Sequence, residues 1–136
     1  ELSEIMRINR NEIPQNDYSE EMKEVFRLSE ETKTLTNGYF DISQSGVIDP
    51  SGLVKGWAIN NAANILLERG CKTFFVEIGG DVQVHTEEGE TPWNIGVQNP
   101  FNKNEIVKVF RLQHEGIATA GTYIRGQHIY NPKAPS

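Results

Sequence analysis

Residues 48–58, I-D-P-S-G-L-V-K-G-W-A, place an acid, two glycines and a lysine within a short stretch. Apolar or small side chains then recur with helical spacing, which predicts an amphipathic helix over residues 54–69 that ends at Gly70. The P-S-G at residues 50–52 is predicted to form the turn before it. Lys55 would then lie in the first turn, where backbone N–H groups and the helix dipole favour a bound anion. A solvated lysine on a capped surface helix is the alternative.

Two further stretches combine small residues with polar groups. In the G-G-D of residues 79–81, glycine allows close approach of the backbone to a ligand, and Asp81 can accept from ligand hydroxyls or reach a metal. A tight turn or bulge is the structural alternative. Thr119, Ala120 and Gly121 could surround phosphate oxygens, or they could form a crowded strand.

Of the three histidines, His128 has the most distinctive surroundings. It follows Arg125 by three residues and precedes an apolar pair, so a titratable imidazole is predicted near a fixed cation. A partly buried histidine that only makes structural hydrogen bonds remains the alternative. His85 and His114 stand among charged or polar neighbours and are predicted to be surface residues.

Composition excludes several classes of protein. The chain has 136 residues, 37% hydrophobic and 24% charged, and its net charge of −6 argues against a nucleic-acid binder. No apolar stretch is long enough to cross a bilayer. The lone Cys71 excludes an intramolecular disulfide and is predicted to be a buried thiol. Because the chain begins at Glu1 without an initiator methionine, we expect that an upstream segment has been removed.

The elements that must position these residues follow from periodicity. A short helix is predicted over residues 2–9, and a second helix opens at Asp17 with Glu20 at the capping-box position. Its inner face carries Tyr18, Met22, Val25, Phe26 and Ser29, and it ends at the left-handed-tolerant Asn37 and Gly38.

Strands dominate the second half of the sequence. Residues 72–78 are apolar almost throughout, which predicts a strand buried on both faces, and residues 82–86 predict a second strand. E-E-G-E at residues 87–90 is predicted to be a hairpin tip, and residues 93–98 and 106–112 two further strands. The prediction is an α+β domain in which two to three helices pack with a largely antiparallel sheet.

Taken in order, these pieces resemble the ApbE-like FAD:protein FMN transferases, also called the thiamine-biosynthesis lipoprotein family. Each motif is weak alone, but together they cover nearly the whole chain in the family's order. They are S-E-I-M-R-I-N, T-N-G-Y-F-D, I-D-P-S-G-L-V-K-G-W-A-I-N, the strand ending in I-G-G-D, A-T-A-G-T-Y-I-R, and H-I-Y-N-P-K.

The resemblance implies the ApbE-like fold and an enzyme that cleaves the FAD pyrophosphate, releases AMP and transfers FMN to a threonine or serine of an acceptor protein. It implies Mg²⁺ as a cofactor, with the Gly52 carbonyl as a ligand, and it suggests His128 as the base for the acceptor hydroxyl. It also implies an FAD site, with Asn9 as an additional candidate, built from Asp49, Ser51, Gly52, Lys55, Gly79, Gly80, Asp81, Thr119, Ala120, Gly121, Tyr123 and Arg125.

The sequence also departs from the family pattern. The stretch between Asp41 and Ile48 is shorter than in typical members, and T-A-G-T-Y stands where the family often has T-S-G-D-Y. The family's opening strand is missing, and its metal-binding Asp and Thr would lie beyond Ser136. We therefore predict a single flavin-binding domain over residues 1–136, incomplete at both ends.

Two alternatives stay open beside the transferase, namely a non-catalytic FAD-binding module and an interaction domain that has lost the metal site. The family is commonly exported and lipid-anchored. An extracytoplasmic location is therefore expected, with a membrane anchor upstream of this chain.

Overall fold

The computed structural model describes residues 3–44 and 46–121, and every structural statement below concerns these residues. They form three α-helices, a short 3-10 turn and antiparallel strand pairs, so the predicted α+β class is confirmed. The described residues divide into two compact units, one up to Val54 and one from Lys55 onwards. Among them no helix is both long enough and apolar enough to span a membrane.

The first unit consists of helices and one hairpin. Its helices are α1 (Glu4–Asn9) and α2 (Glu20–Leu35), with the 3-10 turn Gln15–Asp17 between them. Strands β1 (Ser43–Gln44) and β2 (Val47–Ile48) pair antiparallel. Ile8, Val25 and Ile42 are buried, and the rings of Tyr18 and Phe26 stack at 5.6 Å, which confirms the predicted inner face of α2.

The N-terminal cap of α2 is Ser19, so the prediction that Asp17 opens this helix is wrong. The Ser19 hydroxyl accepts from the Met22 N–H at 3.1 Å. Glu4 of α1 takes the role expected of Glu20, since its carboxylate accepts from the Ser19 N–H at 2.8 Å and from the Ser19 hydroxyl at 2.6 Å. A residue distant in sequence thus replaces the capping box.

The second unit contains most of α3 (Ser51–Glu68) and two antiparallel sheets. The three-stranded sheet has the order β3–β4–β7, from β3 (Phe74–Ile78), β4 (Asp81–His85) and β7 (Gly116–Ile117). Strands β5 (Trp93–Asn99) and β6 (Asn102–Leu112) form a separate hairpin. The buried side chains of this unit are Ile59, Ala63, Val84 and Thr86.

Three predictions for this unit are wrong. Strand β3 is not buried on both faces, because Phe75 is 54% exposed and Ile78 41% exposed in a sheet of only three strands. Cys71 is exposed, since it lies in the connection between α3 and β3 rather than within the strand. Residues 87–90 do form a turn, but it joins β4 to β5, which belong to different sheets, and so it is not a hairpin tip.

Candidate functional site

Helix α3 begins at Ser51, three residues before the predicted start. The Pro50 carbonyl accepts from the N–H groups of Leu53 and Val54 at 2.9 and 3.0 Å, which are the first bonds of the helix. Proline lacks an N–H, but the start of a helix does not need one, so Pro50 directly precedes the helix, and Ser51 and Gly52 are its first residues instead of a separate turn. Lys55 consequently lies in the second turn, and the prediction of a first-turn lysine is wrong.

In the first unit, the chain before α3 is held by side-chain to backbone bonds. The Asp49 carboxylate accepts from the Ser51 N–H at 3.0 Å, and the Asp49 N–H donates to the Ile42 carbonyl at 2.8 Å. Asn9 donates to the Ile48 carbonyl and accepts from the Ile48 N–H, both at 2.8 Å. Three of the predicted site residues, Asp49, Ser51 and Gly52, therefore follow a strand that Asn9 fixes in place.

In the second unit, Lys55 contacts the corner between β3 and β4. Its ammonium lies 2.8 Å from a carboxylate oxygen of Asp81 and 3.4 Å from the Gly79 carbonyl oxygen. The side chains are 29% and 14% exposed, so this ion pair is largely shielded from water. Lys55 is thus paired with an acid of its own chain, which the sequence interpretation of an anion-serving lysine did not foresee.

The corner itself requires glycine. Gly79 has φ +56° and Gly80 has φ +88°, in the left-handed region that other residues rarely adopt. At Gly80 a Cβ atom would lie 2.9 Å from the Thr119 hydroxyl oxygen, closer than real Cβ contacts occur. The Gly80 N–H donates to the Glu77 carboxylate at 2.6 Å. The two glycines therefore let the chain turn while a third segment approaches closely.

That third segment is the stretch after β7. The Thr119 N–H donates to the Asp81 carboxylate at 2.9 Å, and its hydroxyl donates to the Gly80 carbonyl at 3.1 Å. The structure thus brings together five of the predicted site residues from three parts of the sequence. We call this set, Lys55, Gly79, Gly80, Asp81 and Thr119, the Asp81 cluster.

The Asp81 cluster can recognise a polar ligand. Asp81 receives a cation on one oxygen and an N–H on the other, so its carboxylate is fixed in position and can still accept a ligand hydroxyl through its remaining lone pairs. Among the described residues, the contacts of Lys55 with Asp81 and with the Gly79 carbonyl use two of its three ammonium hydrogens, which leaves one donor for a ligand oxygen. A mixed set of donors and acceptors suits a ligand that carries both hydroxyls and anionic oxygens.

Glu77 is the residue of this corner that the sequence analysis missed. It lies at an exposed position of β3, and its carboxylate holds the Gly80 N–H. An acid three residues before a glycine on an apolar strand was the available signal. Ala120 and Gly121 follow Thr119 directly, whereas Tyr123, Arg125 and His128 lie outside the described residues.

The side chains of the described part show no cluster for a metal ion. They contain no group of three or more His, Cys, Asp or Glu residues that could hold a metal ion. Gly52 is the second residue of α3, and a carbonyl at that position of an α-helix points along the axis toward the N–H four residues later. A Cβ atom at Gly52 would lie 3.2 Å from the Phe40 ring, so close packing against this ring favours glycine at this position.

A family model and the sequences of curated relatives point to the same family. The family model described as the ApbE family matches residues 43–134. A FAD:protein FMN transferase of Vibrio cholerae is 27% identical over 95 residues, which cover 62% of this chain and 28% of the relative. A FAD:protein FMN transferase of Escherichia coli K12 is 29% identical over 93 residues, 67% of this chain and 24% of the relative.

Among solved structures, the ApbE protein of Thermotoga maritima matches with a TM-score of 0.76 at 24% identity. The match covers 89% of this chain and 55% of that protein, and at this identity it shows a shared fold. The aligned stretches amount to 28% and 24% of the two curated relatives' own lengths. This chain therefore corresponds to a part of each protein it matches.

Proposed function

Because this chain belongs to the ApbE family, we propose that it acts in the transfer of FMN from FAD to a protein. The support is that relatives from Vibrio cholerae and Escherichia coli carry the name FAD:protein FMN transferase. FAD would be the substrate, AMP the product that leaves, and a threonine or serine of an acceptor protein the site that is modified. The single flavin-binding domain over residues 1–136 is part of the same proposal.

The observation that carries the proposal is the Asp81 cluster. Five residues that the resemblance assigns to the FAD site are joined there by hydrogen bonds and one ion pair, although they come from three separate stretches. FAD presents ribose and ribityl hydroxyls together with anionic pyrophosphate oxygens. Asp81 can accept from the hydroxyls, and the remaining ammonium hydrogen of Lys55 can donate to an anionic oxygen.

The resemblance assigns further residues to the binding of FAD. They are Asp49, Ser51 and Gly52 of the first unit, Ala120 and Gly121 after Thr119, and Tyr123 and Arg125 outside the described residues. Arg125 would supply a permanent positive charge for the pyrophosphate. The resemblance also implies Mg²⁺ as a cofactor, with the Gly52 carbonyl as a ligand.

The proposed reaction is a phosphoryl transfer with balanced bonds. The acceptor hydroxyl oxygen forms a bond to the phosphorus on the FMN side of the pyrophosphate, while the bond from that phosphorus to the bridging oxygen breaks and AMP leaves. The hydroxyl proton must go to a base. We propose His128 for this role, since a neutral imidazole within hydrogen-bond reach can take a proton near neutral pH.

Location and partners complete the proposal. We propose an extracytoplasmic site of action, with a lipid anchor encoded upstream of this chain, and an acceptor flavoprotein as the macromolecular partner. An acceptor outside the cytoplasm would require the transferase to be exported as well. Fractionation of cells that express the full reading frame would test the location.

The deciding experiment follows FAD and then AMP. The chain is titrated with FAD by fluorescence, Mg²⁺ and an acceptor flavoprotein that presents threonine or serine hydroxyls are added, and AMP is measured by chromatography. Binding followed by AMP release supports the transferase. Binding without AMP release would favour a non-catalytic flavin-binding module, and absence of FAD binding would favour an interaction domain. A His128→Asn variant should keep FAD affinity and lose AMP release by roughly a hundredfold or more if His128 is the base.

A further inference from the structure

Two histidines of the second unit contact each other, and neither has a role in the proposed flavin chemistry. His85 ends β4, and His114 lies in the turn between β6 and β7. Their Nδ1 atoms are 3.3 Å apart, and their ring centroids are 4.8 Å apart with an angle of 53° between the planes. The sequence predicted two separate surface residues, so their pairing is a finding of the structure.

The spacing of the two nitrogens matches a pair of metal ligands. Zinc binds imidazole nitrogen at about 2.0–2.1 Å in tetrahedral geometry, which places two ligand nitrogens about 3.3 Å apart. Hydrogen bonds donated by N–H groups commonly span about 2.7–3.2 Å between donor and acceptor. The separation of 3.3 Å between the two Nδ1 atoms is slightly longer than this range. Both arrangements use the same two nitrogens, and a metal ion would replace the shared proton.

Neighbouring residues fix the orientation of the His85 imidazole. The ring of His85 stacks on Phe74, with centroids 5.4 Å apart and planes 19° from parallel. The His85 carbonyl accepts from the Trp93 indole N–H at 3.2 Å, which fixes the backbone behind the ring. A ring that is already oriented loses less conformational entropy when it binds an ion.

The turn that carries His114 is fixed as well. Its carbonyl accepts from the Gln83 side-chain amide at 3.0 Å, and its N–H donates to the Glu115 carboxylate at 2.9 Å. The Glu115 carbonyl in turn accepts from the Val84 N–H at 3.1 Å. The Glu115 carboxylate also adds a negative charge next to His114, which favours a cation in this region.

We propose that the paired Nδ1 atoms of His85 and His114 form a binding site for a transition-metal ion of the zinc type. Imidazole is a preferred ligand for zinc, nickel and copper, whereas magnesium prefers oxygen. Two protein ligands leave the other positions to water, so the site is exchangeable and weaker than a closed structural zinc site. The ion would connect the end of β4 to the turn before β7.

The test is a calorimetric titration of the chain with Zn²⁺, and with Mg²⁺ as the ionic control. Saturable binding of one Zn²⁺ in the micromolar range is expected, with no comparable heat from Mg²⁺. His85→Gln and His114→Gln should each weaken Zn²⁺ binding by about tenfold or more, the scale seen when metal sites lose supporting groups. Glu105→Gln is the control, because it removes a carboxylate near the Asn99–Asn102 end of the β5–β6 hairpin, opposite to the end that leads to His114, and should leave Zn²⁺ binding unchanged.

A measurement on the unaltered chain keeps the test independent of whether variants fold. The imidazole Cε1–H signals of His85 and His114 should shift together at one equivalent of Zn²⁺. Binding only at millimolar Zn²⁺, equal affinity in all three variants, or a shift confined to His128 would each overturn the proposal. FAD binding and AMP release are separate readouts, so failure here leaves the proposed transferase activity unaffected.

Discussion

Gly80 combines a left-handed backbone with a crowded neighbour, and Gly89 provides its natural control. Gly89 has φ +89°, almost the same as Gly80, but a Cβ there would have nothing within 4 Å. We expect Gly89→Ala to cost about 1–2 kcal/mol of unfolding free energy through the backbone alone. Gly80→Ala should cost more, because the new methyl also meets the Thr119 hydroxyl. Urea denaturation measures both.

A second substitution separates the two contributions at this corner. Thr119→Ala removes the hydroxyl that the new methyl would meet, so the combined Gly80→Ala and Thr119→Ala variant should lose less than the sum of the single changes. Strictly additive changes in the free energy of unfolding, or equal losses for Gly80→Ala and Gly89→Ala, would show that the close approach of Thr119 does not affect stability.

The role of Lys55 in FAD binding can be tested by comparison with Lys72, which also forms an ion pair with an acid. Lys55→Ala should weaken FAD binding by about 1–3 kcal/mol, the range for a lost charge-assisted bond. Lys72 is also paired with an acid, Glu87 at 2.7 Å, but it lies outside the Asp81 cluster and is 70% exposed. Lys72→Ala should therefore leave FAD affinity unchanged. Parallel fluorescence titrations decide, and equal affinity in both variants would remove Lys55 from the FAD site.

The sequence could identify the residue types of the candidate site better than their partners. Lysine near a helix start, glycines at a strand end and a small-residue strip were visible as local patterns, and the structure gathers Lys55, Asp81 and Thr119. The ion pair of Lys55 with Asp81 was not predictable, because it depends on how a helix and a strand corner come together. Glu77 was missed although an acid three residues before a glycine was visible in the sequence.

At the scale of elements, the start of α2 couples two helices of the first unit. Ser19 caps α2 and at the same time donates its hydroxyl and its N–H to Glu4 of α1. Ser19→Ala should destabilise the chain by about 1 kcal/mol, a typical loss for an N-cap. Ser3→Ala is the matched control, since Ser3 precedes α1 but makes no side-chain cap bond. Thermal melts of the two variants provide the comparison.

The same contact predicts a pH dependence. The Ser19 hydroxyl, followed by the Ser19 N–H, lowers the pKa of the Glu4 carboxyl from its usual value. A group with a depressed folded-state pKa stabilises the fold above its unfolded pKa, and this contribution is lost as pH falls through the folded value. Ser19→Ala should therefore reduce the acid sensitivity of stability below the usual glutamate pKa. Stability curves that stay parallel from pH 7 to acid would contradict this role of Ser19.

Element type was more predictable than element boundaries. Within the described residues, helical spacing identified the three helices, and apolar patterns between turn residues identified strands β3 to β6, whereas the short strands β1, β2 and β7 were not predicted. The starts of α2 and α3 were misplaced because Ser19 competes with Asp17 as a cap and because Pro50 can precede helical residues as well as a turn. The exposure of Phe75 was not predictable, since an apolar strand reveals nothing about how many strands flank its sheet.

At the scale of the whole chain, FAD should act as a stabiliser if the proposed function is right. A ligand that binds only the folded state adds about 2.7 kcal/mol to stability at a free concentration of 100 times its dissociation constant. We therefore expect the melting temperature to rise with FAD concentration, and to rise less in Lys55→Ala. A melting temperature that is independent of FAD would contradict binding by the folded chain.

The lengths of the relatives determine what this chain can be tested for. The Thermotoga maritima protein shares the fold, yet this chain covers 55% of it. If the proposed function is right, FAD binding and FMN transfer can separate experimentally, because the residues that recognise a nucleotide and those that complete the chemistry need not lie on the same part of the protein. Measurement of both on this chain and on the full reading frame assigns each activity to its part.

Asn9 makes the first unit sensitive to a change in one side-chain group. Its side-chain amide serves Ile48 both as donor and as acceptor, as a neighbouring strand would. Hydrolysis of that amide to a carboxylate exchanges an NH₂ group for an oxygen, so two acceptors would then face each other at the Ile48 carbonyl. Asn9→Asp makes this exchange in a single substitution and should weaken the hold on the strand that leads into Asp49.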